Sequence, residues 1–261
     1  MAGMRVAVVQ MSSSTDSAAN REQVSRVLST IGDGLDLVVL PEATMHDFGP
    51  ADHDLSGVAE PLDGPFVTLL AEHASRLGAT VVAGMFERTD GLPFNTLVAV
   101  GPSGELSAAY RKIHLYDSFG YRESARLAAG PIEPVVLDVA DLRLGLMTCY
   151  DLRFPELGRA LVDAGALAFV VPSAWVTGPG KVHHWRTLIT ARAIENTVDV
   201  VAAAQSGEHY CGHSVIVDAA GSMVEEAGEG DAVLRADLTA TAISEVRGAN
   251  PSLLNRRMSM S

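Results

Sequence analysis

Along the 261 residues, short apolar runs alternate with longer stretches in which apolar residues recur every three or four positions. The first kind predicts strands. Residues 4–10 (MRVAVVQ), 35–40 (LDLVVL), 80–86, 135–138, 142–147 and 168–171 are each short, apolar and bounded by turn-forming residues. The second kind predicts helices. Val24, Val27, Leu28 and Ile31 fall at i, i+3, i+4 and i+7; Phe66, Leu69, Leu70 and Leu77 mark a second such face; further helices are expected at about 155–164 and 181–196. NTLVAV-GPSG-ELSAAY at 95–110 reads as a hairpin, because Gly and Pro between two β-prone runs supply the turn. After VVAAAQ at 200–205, HSVIVDAAGSMVEE at 213–226 reads as a second hairpin and AVLRADL at 232–238 as a last strand, followed from about 248 by a loop-like tail.

Many strands with several one-sided helices imply an α/β protein in which sheets are layered against helices. No Ser/Gly-rich linker or low-complexity stretch interrupts the chain, so 1–261 reads as one domain of two similar halves. The tail, about 248–261 with Met258 and Met260 near its end, is either a flexible terminus or a segment that packs at a subunit interface.

Composition narrows the partners. The formal charge of -13 and the absence of a basic block argue against nucleic acid, which needs a cationic face to displace counterions. Two cysteines, neither in a C-x-x-C pair, are too few for a disulfide framework and suit a reducing cytoplasm. No apolar stretch approaches the roughly 18 residues of a membrane span, and the N-terminal apolar run reads as a first strand rather than a signal peptide, so a soluble protein is expected.

The chemistry concentrates at strand ends. In MTCYDLRFPELG, Cys149 stands where the 142–147 strand gives way to a helix, with Pro155 suited to that helix's first turn. A lone buried cysteine is ordinarily a small core residue. A nucleophile on such a turn is instead lifted off the sheet, with the following N–H groups free to hold negative charge. A thiol nucleophile also needs a proton acceptor and an oxyanion stabiliser. LDLVVLPEATM puts Glu42 directly after a buried strand, and AAYRKIHLYD puts Lys112 just past the first hairpin.

PEAT around Glu42, YRKIHLYD around Lys112 and TCYDLRFPEL around Cys149, in that order, closely resemble the Glu-Lys-Cys signatures of the nitrilase superfamily of carbon-nitrogen hydrolases. The resemblance runs from the first strand to about Arg257. It implies a four-layer α-β-β-α sandwich whose subunits pair as homodimers or larger homo-oligomers, and an enzyme that needs no cofactor or metal. By the same resemblance Glu42 is the general base, Lys112 the oxyanion-stabilising cation and Cys149 the nucleophile. FGYRESARLAAG matches the region of a second family glutamate, making Glu123 the candidate to fix Lys112. The alternative for Glu123 is a surface ion pair with Arg122 or Arg126.

Tyr150-Asp151 after the nucleophile, where nitrilases usually have Trp-Glu, favours an amidase. The stretch from PSAWVTGPGKVHHW to AAAQSGEHYCGHS resembles the Nit branch, the ω-amidases and deaminated-glutathione amidases, whose substrates are small α-keto acids bearing an amide. Other carbon-nitrogen hydrolases, acting on N-carbamoyl amino acids, aliphatic amides or nitriles, are the alternatives. A carboxylate-bearing substrate wants a cation near the nucleophile. Arg153 could grip a carboxylate bidentately, or could brace the turn by pairing with Glu156 or Asp151. Tyr116, Tyr150 and Trp175 are the other candidate substrate contacts, within a pocket shaped by the loops 47–59 and 173–181. GPGKVHH fails the glycine spacing of a phosphate loop. His209, Cys211 and His213, spaced by two, would share a face if they lay on a strand, which leaves a non-catalytic metal-binding protein as the competing reading.

Overall fold

The computed structural model describes residues 3–258, and the apolar runs assemble into two six-stranded sheets. In the first half β1 (Met4–Gln10), β2 (Leu37–Val39) and β3 (Thr80–Glu87) run parallel, and β4 (Phe94–Val100) and β5 (Leu106–Arg111) continue the sheet antiparallel. A small separate hairpin follows, β6 (Asp117–Ser118) with β7 (Tyr121–Arg122). In the second half β8 (Val136–Val139) pairs antiparallel with β9 (Leu142–Leu146), which runs parallel to β10 (Ala168–Ser173) and β11 (Asp199–Ala204). β12 (Val215–Val217) and β13 (Met223–Glu226) close that sheet antiparallel. β14 (Ala232–Leu238) then crosses back to lie along β1, with Met4 opposite Leu238 and Gln10 opposite Ala232.

Parallel neighbours require crossover connections, and helices supply them. They are α1 (Ser17–Thr30), α2 (Pro65–Leu77), α3 (Pro155–Asp163) and α4 (Lys181–Asn196). The period-two alternation in β1 explains the layering: Val6 and Val8 join Leu37, Val39 and Val82 in a core shared with the second sheet. Ala7 and Val9 face the other way, onto Val24 and Leu28 of α1 and Phe66 and Leu70 of α2. On the outside of the second sheet Leu157 and Leu161 of α3 and Trp185 and Ile189 of α4 are buried in the same way. The result is the four-layer α-β-β-α sandwich.

The structure departs from the sequence-based expectation in three places. Residues 240–249 form a fifth helix, α5 (Ala240–Ala249), capped by Thr239, whose hydroxyl accepts the Ala242 N–H at 3.1 Å. Only Ile243 of that helix is buried, so its apolar stripe is too narrow to register as a periodic face. β2 is shorter than the apolar run that predicts it. Finally, residues 211–214 lie in a loop rather than on a strand, so the proposed common face of His209, Cys211 and His213 does not exist. Of the tail, Met260 lies outside the described residues, while Met258 is exposed. Among the described residues no helix is long and apolar enough to cross a membrane.

Candidate active site

Parallel strands deliver the loops at their carboxyl ends to one edge of a sheet, and here those edges of the two sheets meet. Glu42 comes three residues after β2, on a turn in which Ala43 adopts a left-handed φ of 57°. The turn can sit so close to β3 because residue 84 is glycine: a Cβ there would stand 2.6 Å from the Glu42 Cα. Lys112 comes directly after β5 and is held by its own N–H on the Asn95 carbonyl at 2.8 Å. Cys149 opens a short 3-10 turn, Cys149–Arg153, two residues beyond Met147, with a φ of 48°. A non-glycine residue in that region stores strain, which places the thiol at the tip of the elbow.

The three stretches converge on one buried cluster. Lys112 Nζ donates to Glu42 Oε1 at 3.0 Å and to Glu123 Oε2 at 2.9 Å. Asn95 Nδ2 donates to the same two carboxylates, at 2.7 Å and 3.0 Å. The remaining Glu42 oxygen accepts the Ala174 N–H at 2.6 Å, and Glu123 Oε2 accepts the Tyr116 N–H at 2.6 Å. Gln205 Nε2 holds the Glu42 carbonyl at 2.9 Å. Glu42 and Glu123 are each 1% exposed and Lys112 2%. Charges so deeply buried persist only with full pairing and hydrogen bonding, and here each has both.

Electrostatics divide the labour within the cluster. Burial alone would lower the Lys112 pKa, but the carboxylates of Glu123 and Glu42 outweigh it and hold the ammonium charged, well above the usual lysine range. Burial, and then the charge of Glu42, push the Cys149 thiol well above the usual cysteine range. The resting sulfur is therefore a protonated thiol beside a carboxylate. Cys211 behaves differently: it is buried, its pKa is pushed up to about 12 by burial, and its thiol faces the Gly212 carbonyl. It is a packing residue.

The cluster floors a cavity of about 930 Å³. Tyr116, Tyr150, Arg153 and Trp175 all line it, alongside parts of the loops 47–50 and 174–179. Arg153 pairs with neither Glu156 nor Asp151; its guanidinium lies over the Trp175 ring, 5.4 Å from the centroid. Glu123 is likewise no surface ion pair, since Arg126 instead donates to the carbonyls of Phe48, Pro50 and His53 and to the Tyr121 hydroxyl. The metal reading loses its ligand set. His213 lies 3.4 Å from Glu226, His209 lines the cavity, and no group of three metal-ligating side chains forms among the described residues.

Sequence reasoning missed two organising residues. Asp151, fully buried, accepts hydrogen bonds from Tyr110 Oη, His114 Nδ1 and the Thr148 N–H at 2.7, 2.7 and 2.9 Å, tying the lysine-bearing stretch to the cysteine turn. Its signal was present: Thr148-x-x-Asp151 is a helix-start capping pattern in which an acid reaches back to the first N–H. Asn95, which bridges the two carboxylates, carries no such signal, since one amide at the start of a strand looks like any other.

With this geometry in place, comparison with known proteins settles the class. The carbon-nitrogen hydrolase family model matches residues 5–248, and the chain belongs to that family. It is 41% identical to the deaminated glutathione amidase of Escherichia coli O157:H7, over 85% of this chain and 84% of that one. It is 37% identical to the 2-oxoglutaramate amidase of Paenarthrobacter nicotinovorans, over 97% and 89%. The crystal structure of XC1258 from Xanthomonas campestris, a CN-hydrolase superfamily protein, superposes with a TM-score of 0.90 at 31% identity, covering 100% of both chains. The protein is an enzyme of the amidase kind within the nitrilase superfamily.

Proposed function

We propose that Cys149, Glu42, Lys112 and Glu123 hydrolyse the amide of a small α-keto acid through a thioester on Cys149. Glu42 takes the thiol proton as the sulfur attacks the amide carbonyl, forming the C–S bond. The oxyanion is held by Lys112 Nζ and by the Tyr150 N–H, one of the first donors of a turn that leaves its opening N–H groups without acceptors inside the turn. Protonated Glu42 then delivers its proton to the departing nitrogen, because an amide nitrogen cannot leave as an anion. The C–N bond breaks, ammonia or an amine departs, and Glu42 activates a water that hydrolyses the thioester. Glu123 works through Lys112, fixing where the ammonium points.

The observation that carries this reading is the meeting of a strained thiol, a carboxylate and an ammonium in one shielded cluster. Arg153 supports the choice of substrate: a guanidinium on the cavity wall, unpaired with acid among the described residues, suits a carboxylate. The two amidases to which the chain is similar are named for 2-oxoglutaramate and deaminated glutathione, compounds that share a 2-oxoglutaryl group and differ in the amine. The test is product release from these two amides, simple aliphatic amides, N-carbamoyl amino acids and a nitrile. Preference for either oxo-acid amide is expected. Preference for a nitrile or carbamoyl compound would overturn the substrate, and undiminished turnover by Cys149→Ala would overturn the mechanism.

Residues 1–261 are taken as a single domain working in a cytoplasmic setting, which suits two free cysteines. Homodimerisation, with the tail about 248–261 at the interface, suits the exposure of Leu254 and Met258. Sedimentation of a chain ending at residue 250 tests that pairing.

A further inference from the structure

The chain holds only two lysines among its 19 basic residues, Lys112 and Lys181, and both line the same cavity. Lys181 opens α4 and is half-buried. Its Nζ donates to Tyr116 Oη at 3.1 Å and lies 4.3 Å from the centroid of the Phe119 ring. It has no carboxylate partner among the described residues. Aromatic faces compensate an ammonium only weakly, and the phenol uses one of its three donors. Lys181 is therefore a cation partly removed from water, with N–H groups left for an anion, in a protein of net charge -13.

Its position fixes which anion. Tyr116 acts as a ruler: its N–H touches Glu123 in the acid cluster, its ring stands edge-on to Tyr150, 5.0 Å between centroids, and its hydroxyl meets Lys181. Lys181 thus stands a tyrosine's length out from the cluster. Trp175 touches both residues, carrying the Arg153 guanidinium over its face and donating its indole N–H to the Lys181 carbonyl at 3.0 Å. The two cations rest on different partners along the cavity wall, Arg153 on Trp175 and Lys181 on Tyr116 and Phe119. The cavity, near the upper end of the roughly 300–1,000 Å³ that enclose drug-sized ligands, is also far larger than a five-carbon acid needs.

We propose that Lys181 is the specificity-determining residue for a second carboxylate, borne by the amine half of the substrate. Arg153 holds the acid of the acyl half. This rests on the amidase reading above. The test uses the full chain and two amides of 2-oxoglutarate, one with alanylglycine and one with alanylglycinamide, which differ only in the terminal carboxylate; 2-oxoglutarate release is the common readout. Wild type should favour the carboxylate by about 10- to 100-fold in kcat/KM, mostly through KM. Lys181→Met should bring that ratio close to one, and Lys181→Arg should restore most of it, with circular dichroism showing both variants folded. A wild-type ratio near one, or a Lys181→Met ratio equal to wild type, overturns the assignment. Wild-type enzyme that releases 2-oxoglutarate from neither of these amides nor from 2-oxoglutaramate overturns the substrate reading itself, and this assignment with it.

Discussion

The floor and the mouth of the cavity handle charge in opposite ways. On the floor, Lys112, Glu42 and Glu123 are buried and satisfy one another through short, multiply bonded contacts. At the mouth, Arg153 and Lys181 are half-buried and rest on aromatic faces, with no acid paired to either among the described residues. A cluster whose groups are all paired is preorganised: its donors already point where charge will develop, so little reorganises during reaction. Cations without an acid partner are poised for an anion that arrives. On the proposed reading the floor makes and breaks bonds and the mouth selects. Substitutions on the floor should therefore act on kcat and those at the mouth on KM.

The largest effect expected is loss of turnover in Cys149→Ala, by at least about a thousandfold, against little change in Cys211→Ala. Mass spectrometry after one equivalent of an alkylating agent should find the label on Cys149 alone. Lys112→Ala should slow acylation by about a hundredfold to a thousandfold, the usual scale for losing an oxyanion donor. Glu123→Gln should be milder in turnover but costly to the fold, by about 3 kcal/mol in urea unfolding, because it leaves a buried ammonium half-compensated. If Glu123→Gln raised KM and spared kcat, the division between floor and mouth would fail.

Much of this floor is legible in the sequence because each candidate catalytic residue lies just beyond a strand, and strand ends of parallel sheets converge. Glu42, Lys112 and Cys149 stand out as candidates on that ground, with their roles supplied by the family resemblance, and the helix expected at about 181–196 spans Lys181–Asn196. The bracing was harder to read. Asn95 and Gln205 act across 53 and 163 residues of chain, and nothing local to either reveals a distant carboxylate or carbonyl. The mouth was read in part: Arg153 and Trp175 stand out, whereas Lys181 sits in a motif that by itself shows only a failed phosphate loop. Its meaning comes from Tyr116 and Phe119, which the fold brings to it.

At the mouth the expected effect is smaller. Arg153→Met should raise KM for 2-oxoglutaramate by about tenfold with kcat within about threefold, as expected for losing one charged hydrogen bond in ground and transition states alike. Steady-state kinetics of ammonia release measures both. An equal fall in kcat would move Arg153 from selection to chemistry.

Asp199 supplies the control for the floor, a buried acid with no cation paired to it among the described residues. It is 4% exposed at the start of β11, accepts one N–H from Ala219 at 2.8 Å, and has Asp218 nearby. Burial raises its pKa from 3.8 to about 6, whereas each floor carboxylate has the Lys112 ammonium within hydrogen-bonding distance. The folded state thus binds the proton more tightly than the unfolded chain. Its contribution to stability is full below about pH 4, where both states are protonated, and is lost as pH rises through about 6. Because a tenfold difference in proton affinity is worth about 1.4 kcal/mol, the loss amounts to about 2–3 kcal/mol. Asp199→Asn keeps an oxygen for the Ala219 N–H and cannot ionise, so its stability relative to wild type should improve by that amount between pH 4 and pH 7. Urea unfolding at the two pH values measures it. A pH-independent difference would mean that Asp199 binds its proton no more tightly in the folded chain than in the unfolded one, and its contrast with the cation-paired floor would fail.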